Sequence, residues 1–167
     1  PCSPCGILRR RSLNQMARSS NVDCLILGHN LDDFSQTVLM NHARGDVSRL
    51  TRMAPHKYVQ EGFIPRLLPL RRLPEQEIYL YAMLKNLKFH DGDCPYAGKA
   101  QRNFFRKMVM EMEEKQPGTR HSLVNGMEKI RKDSPQPEGL DSCPSCGEPS
   151  GGDGPCVFCR EFGSFAV

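Results

Sequence analysis

No apolar run in this sequence approaches the roughly 18–20 residues of a membrane-spanning helix, and no segment has the layout of a secretory signal. Helical membrane proteins and secreted, disulfide-held scaffolds are therefore poor fits, no membrane partner is expected, and the expected setting is cytoplasmic. Acidic residues are few in the first 72 positions, so a basic surface is expected there. Strand-like stretches are scarce too: only two are visible, too few for a sheet buried on both faces. The sequence opens on Pro1 with Cys2 directly behind it, and with so few strands it reads as part of a longer chain.

The 167 residues have room for one modest domain and a small appendage. With 23 basic and 19 acidic residues the formal charge is +4, a mild excess compatible with an RNA partner. The distribution is more telling, since Arg9, Arg10, Arg11, Arg18, Arg44, Arg49, Arg52, Lys57, Arg66, Arg71 and Arg72 crowd the first 72 residues. Arginine's planar fork suits phosphate contacts, although a plain solvated surface would look the same.

Apolar spacing predicts a helix in GILRRRSLNQMARSS, and the run VDCLILGH, closed by Gly28, reads as a buried parallel strand. NLDDFSQTVLMNHARG is a second helix, capped near Asn30 or Asp32 and ended before Gly45. GFIPRLLPLRRLP reads as strand and turn, and Pro74 and Glu75 open the helix EQEIYLYAMLKNL. Two further helices follow, AQRNFFRKMVMEMEEK and one running through SLVNGMEKIRK. Strands alternating with helices predict an α/β class with a doubly wound parallel sheet. Residues 1–132 form the main domain, the Pro-, Gly- and acid-rich stretch 133–142 is a linker, and 143–167 is a separate cysteine-rich module.

That module reads C-x2-C-x9-C-x2-C through Cys143, Cys146, Cys156 and Cys159. Two such knuckles turn four thiolates toward one point, which predicts a structural Zn2+ ribbon. Inside it, SGGDG at residues 150–154 looks like a phosphate loop. A phosphate loop must follow a strand and open a helix, and pinned between zinc knuckles this one reads as coincidence.

Four cysteines remain. Cys24 lies in the apolar strand and is expected to be a buried small hydrophobe. Cys94 sits in the turn HDGDCPYAG, a Cys-Pro environment suited to iron–sulfur ligation. Cys2 and Cys5 precede a helix whose dipole favours thiolate. Three thiolates could hold a cubane with one open iron; equally, Cys2 and Cys5 could pair with each other, or Cys94 could be inert. At the strand's carboxyl end GHNLDD places His29, Asn30, Asp32 and Asp33 where α/β sheets bind ligands. Asn30 or Asp32 could simply cap the helix, whereas Asp33 is harder to explain that way. His42, His56, His90 and His121 have no ligand spacing and are expected at the surface.

PCSPCG, LILGHNLDD, LLPLRRLPEQEIYLYA, DCPYA and QPGTRH, in that order, resemble the tRNA uridine 2-thiolation enzymes of the PP-loop class. The similarity is to the archaeal and thermophile-bacterial branch related to the eukaryotic wobble-uridine enzymes. The resemblance implies the C-terminal half of an adenine nucleotide alpha hydrolase-like PP-loop domain followed by the zinc ribbon. It implies a [4Fe-4S] cluster on Cys2, Cys5 and Cys94, a catalytic aspartate at Asp33, and His29 and Arg71 at the nucleotide, ATP with Mg2+. Arg9 stands where the family commonly has a functional lysine; it keeps the charge but cannot give up a proton. The family's N-terminal ribbon and SGG-x-DS loop have no counterpart here.

The implied reaction is ATP-dependent 2-thiolation of a tRNA uridine, at position 34 or 54. ATP adenylates the C2 oxygen and releases pyrophosphate, sulfide held on the open iron would then attack C2, and AMP leaves. The resemblance also implies a homodimer and a sulfur donor, either a ubiquitin-like carrier protein or free sulfide. Two rival readings stand beside it. One is a sulfurtransferase using a persulfide on Cys5 or Cys94, and the other is a non-catalytic RNA-binding zinc-ribbon protein.

Overall fold

Cys2 and Cys5 do not precede the first helix, as expected, but lie within its first turn: α1 spans Cys2–Ser19. Pro4 is tolerated there because first-turn N–H groups have no intrahelical partner. This is a computed structural model, and it describes residues 2–53, 62–90, 92, 94–134, 141–151 and 154–163. The chain divides into two units, each drawn from separate stretches. One gathers Pro1–Leu25, Pro55–Leu67 and Pro137–Val167, and the other Ile26–Ala54 and Leu68–Gln136.

In the first unit α1 buries Asn14 and Ala17, three residues apart on one face. Asn14 donates from Nδ2 to the Gly62 carbonyl at 3.0 Å, and its Oδ1 accepts from the Ile64 N–H at 3.3 Å. The side chain thus zips residues 62–64 onto the helix. Strands β1 (Leu25–Ile26) and β2 (Arg66–Leu67) pair, and the Leu25 N–H donates to Pro65 at 2.8 Å. The expected buried strand over VDCLILGH is therefore only two residues long, with Ile26 65% exposed and Cys24 half-buried. A strand apolar on both faces is buried only by neighbours on both faces, and among the described residues β2 is its one strand partner.

The unit's second part is a short antiparallel hairpin, β3 (Asp141–Ser142) with β4 (Pro149–Ser150), followed by helix α7 (Val157–Phe162). α7 packs on α1. Gly62 is required where it stands: its φ is +85°, and a Cβ there would lie 2.8 Å from Pro149 Cγ. Residues 135–140 of the expected linker lie outside the described residues.

The second unit is helical. It comprises α2 (Leu31–Ala43), α3 (Val47–Thr51), α4 (Glu75–Leu84), a 3-10 turn (Ala97–Lys99), α5 (Gln101–Lys115) and α6 (Thr119–Asp133). α2 packs against both α5 and α6. Leu31, Phe34 and Val38, at helical spacing, meet Leu50 of α3 and Val124 and Met127 of α6 in the core. Each such side chain contributes roughly 1.5–3 kcal/mol by leaving water. The short helix α3, capped by Asp46, was not expected from the pattern. α4 ends three residues sooner than expected, at Leu84, and Asn86 takes a left-handed φ of +51°. None of its residues is buried.

Candidate catalytic and metal sites

The α2 start separates the two aspartates of LDD. Asn30 is the N-cap: its Oδ1 accepts from the Asp33 N–H at 3.0 Å, while Asp33 Oδ2 accepts from the Asn30 N–H at 3.2 Å. This is a full capping box, so Asp33, expected to be the residue without a capping role, has one. It is not consumed by that role. The side chain is 36% exposed, and its other oxygen faces the Arg102 guanidinium at 3.4 Å.

Asp32 is the structural member of the pair. It is buried, with Oδ1 accepting from Arg120 Nη1 at 2.9 Å and Oδ2 from the Glu75 N–H at 2.7 Å. α4 has Pro74 at its N-cap and no local side-chain cap, so Asp32 supplies that cap from another helix. Arg120 in turn lies 3.5 Å, Nε to Oε2, from Glu113. Glu113 also accepts from the Gly118 and Arg120 N–H groups at 2.9 and 2.8 Å and so caps the start of α6. Burial opposes the charge of Arg120, but Asp32 and then Glu113 overcome it and leave the guanidinium more basic than a free arginine. Burial likewise works to raise the Glu113 carboxyl, yet the two N–H donors and Arg120 hold it below the usual glutamate value. Sequence reasoning gave Arg120 no role, although QPGTRH contains it. The turn pair Pro117-Gly118 ahead of Thr119 was the available sequence signal for a helix start, and Gly118 takes a left-handed φ of +92° there.

His29 is exposed beside this start. Arg71 is engaged: Glu128 pairs with it through one oxygen and with Arg72 through the other at 2.6 Å, while Arg72 also bonds Asn125 Oδ1 at 2.6 Å. Cys94 is exposed, and its carbonyl accepts from the Ala97 N–H at 2.8 Å; Asp91 and Asp93 lie outside the described residues. His42, His90 and His121 are exposed, and His56 lies outside the described residues.

In the first unit Cys2 and Cys5 are exposed, free thiols three residues apart on one helical face. Arg9 and Arg10 follow, both exposed. Half-buried Arg66 on β2 is less basic than a free arginine, through burial first and then repulsion from Arg10. Arg9, Arg10 and Arg66 have no carboxylate partner among the described residues, whereas Arg11 and Arg18 are committed to the C-terminal module.

In that module the Sγ atoms of Cys143, Cys146, Cys156 and Cys159 all lie within 4.8 Å of one another. Cys143 to Cys159 is 4.0 Å and Cys146 to Cys156 is 3.8 Å. Four thiolates about 2.3 Å from a tetrahedral zinc stand about 3.8 Å apart, so both the donor set and the spacing fit zinc. The Cys156 N–H donates to Cys143 Sγ at 3.2 Å, which, ahead of lesser contacts, lowers that thiol to about 6. Burial, with the neighbouring cysteines, pushes Cys159 up to about 12. Four thiols this close cannot all ionise by themselves, and a divalent cation at their centre removes the conflict. Ser150 of SGGDG is a hairpin residue in β4, while Gly152 and Asp153 lie outside the described residues.

With this geometry established, comparison with known proteins is direct. Residues 7–113 match the family model of the PP-loop domain. The chain is 39% identical over 175 residues to the tRNA 2-thiolation protein NcsA of Haloferax volcanii, an alignment covering 95% of this chain and 53% of the relative. It is 34% identical over 166 residues to the tRNA-5-methyluridine(54) 2-sulfurtransferase of Pyrococcus horikoshii, covering 98% and 53%. The solved structure of the U34-tRNA thiolase NcsA from Methanococcus maripaludis with its [4Fe-4S] cluster superposes with a TM-score of 0.81 at 33% identity, over 100% of this chain and 54% of that one. The chain spans about half the length of the curated relatives it matches. On a match that covers more than half of its residues, the chain belongs to the PP-loop family.

Proposed function

We propose that the protein carrying this chain is an ATP-dependent tRNA sulfurtransferase that replaces the C2 oxygen of a uridine with sulfur. The observation that carries the reading is the superposition of this whole chain on about half of a tRNA thiolase, together with the five ordered motifs. In this reading Cys2, Cys5 and Cys94 hold a [4Fe-4S] cluster; the chemistry of three free, exposed thiols suits it. When bound, the cluster supplies a Lewis-acidic iron with an open position for sulfide. Zn2+ on Cys143, Cys146, Cys156 and Cys159 holds the ribbon together.

The chain's own residues do the rest. Asp33 sits at the positive end of α2 with its carboxylate oriented by the Asn30 N–H and Arg102. It is fixed yet accessible, as a group that positions the uridine or takes a proton must be. Arg9, exposed and always charged, steadies an anion rather than moving a proton. His29 and Arg71 serve ATP and its Mg2+, and a phosphate reaches Arg71 only by replacing the carboxylate of Glu128. Arg9, Arg10 and Arg66, lacking carboxylate partners among the described residues, suit tRNA phosphates. The protein acts in the cytoplasm as a homodimer, and its sulfur comes from a ubiquitin-like carrier or free sulfide. No helix among the described residues is long and apolar enough to cross a membrane.

The test is anaerobic reconstitution of the protein with iron and sulfide, followed by iron counting and a 2-thiouridine assay on tRNA with ATP. Cys2→Ala, Cys5→Ala and Cys94→Ala should each lose the cluster and the activity. Retention of iron and activity by all three refutes the cluster. Activity lost from a protein that never binds iron points instead to a persulfide on Cys5 or Cys94, and tRNA binding without ATP turnover leaves only an RNA-binding role.

A further inference from the structure

In the first unit α1 turns Arg11, Asn14 and Arg18 to one side, at i, i+3 and i+7, and all three reach the ribbon. Arg18 and Asn14 meet the carboxylate of Glu148, which is ordinary polar docking. Arg11 is different. Its Nη1 donates to Cys146 Sγ at 3.3 Å, and its guanidinium carbon lies 4.0 Å from the centre of the Phe158 ring. Phe158 stands between Cys156 and Cys159, so one arginine touches both knuckles of the four-cysteine site.

The acceptor here is a metal-ligand sulfur. Zinc bound by four thiolates leaves a group of net charge −2 in a partly buried place, and a guanidinium within hydrogen-bond reach offsets part of it. The stack on Phe158 fixes the guanidinium plane, which a lysine ammonium would not reproduce. A neutral thiol accepts only a weak hydrogen bond, so Arg11 gains its full interaction only when the sulfur is a metal-held thiolate.

We propose that Arg11 is the outer-shell partner of the ribbon's zinc, setting the donor strength of Cys146 and making the seating of the ribbon on α1 depend on bound metal. The inference rests on the reading of the four cysteines as a zinc site. It reaches further than that reading, because α1 carries Cys2 and Cys5 in its first turn, about two turns before Arg11. Arg11 then adds a metal-dependent link between the ribbon and the helix that bears those two thiols, beside the Glu148 contacts of Asn14 and Arg18.

Cobalt(II) is the probe, since its thiolate charge-transfer bands report the donor strength of the sulfurs. The full chain is used in a Cys2→Ser, Cys5→Ser, Cys94→Ser background, so that cobalt enters only the ribbon, and zinc affinity is read by competition with a chromophoric chelator. Arg11→Gln should lose about ten-fold or more in zinc affinity. It should also move the charge-transfer bands to lower energy, because the sulfur becomes a stronger donor. Arg11→Lys should recover part of the affinity, and Arg18→Gln, on the same face but away from sulfur, should leave the bands in place. Wild-type bands and wild-type affinity in a folded Arg11→Gln protein overturn the inference. Failure of the unmutated ribbon to take up either ion overturns instead the zinc reading beneath it.

Discussion

The neighbouring aspartates of LDD should fail in opposite ways when each is changed to asparagine. Asp32 and Arg120 form an ion pair whose side chains are 10% and 16% exposed, and the second Asp32 oxygen caps α4. In Asp32→Asn the one remaining oxygen can serve either Arg120 or the Glu75 N–H but not both, and the amide hydrogens face whichever donor is left. Breaking a buried pair from one side costs about 3–5 kcal/mol. Arg120 keeps Glu113 nearby, so the lower end applies, about 3 kcal/mol. For a chain of this size that lowers Tm by roughly 6–12 °C. Asp33→Asn keeps an oxygen for the Asn30 N–H and gives up only an exposed pair with Arg102, a loss of less than about 1 kcal/mol. Thermal and urea unfolding followed by circular dichroism measure both, and a 2-thiouridine assay well below either Tm measures function. Asp33→Asn should be stable and inactive, Asp32→Asn unstable but active at low temperature. An Asp32→Asn protein within about 1 kcal/mol of wild type, or an Asp33→Asn protein as unstable as its neighbour, refutes this division of labour.

Three further outcomes follow from the same geometry. Leu50 is the single buried residue of α3, so Leu50→Ala should cost about 3 kcal/mol in urea unfolding and Leu50→Met less than about 1.5. Glu113 has a folded pKa below its ordinary 4.5, so its contribution is present above that value and is lost as pH falls through the folded value. The stability difference between wild type and Glu113→Gln should therefore be full at pH 6 and shrink toward pH 3, read from unfolding midpoints across that range. Gly62→Ala meets both a left-handed φ and Pro149, and should lower Tm by more than Ala substitution at the exposed Gly98, which has open space around it.

Sequence pattern carried the helices well where apolar spacing and caps agreed. α2 begins after Asn30 as expected, and α5 starts within one residue of its expected place. The ribbon was equally legible, because four cysteines at zinc spacing leave few other geometries. What failed were inferences needing a distant partner. The apolar run VDCLILGH has the composition of a buried strand, but burial belongs to what packs on it, and Ile26 stays exposed. Sequence offers Asp32 as a local cap of α2; only Arg120, 88 residues away, and the Glu75 N–H show that its carboxylate serves distant partners instead. Arg11 reads as one of three equal arginines until Cys146, 135 residues on, distinguishes it.

The arginines make the wider physical point. A run of basic residues in sequence suggests a phosphate-binding surface, yet a guanidinium that finds a partner within the fold is less available for that role, and Arg71 would have to exchange Glu128 for a phosphate. Arg18, Arg71 and Arg72 are held by Glu148 and Glu128, Arg49 by Asp46, Arg44 by Gln101, Arg52 by Ser48 and Arg11 by the ribbon. Among the described residues of that run Arg9, Arg10 and Arg66 are left, two on α1 and one on β2, all in the first unit, while Lys57 lies outside the described residues. Arg66 is half-buried beside another cation, a position that disfavours its charge and that an incoming anion would relieve. Cations kept close together without an acid are costly to the free protein and gain most from a phosphate. Among the described residues of the arginine-rich half, the guanidiniums best placed for a polyanion are thus Arg9, Arg10 and Arg66, not the run as a whole.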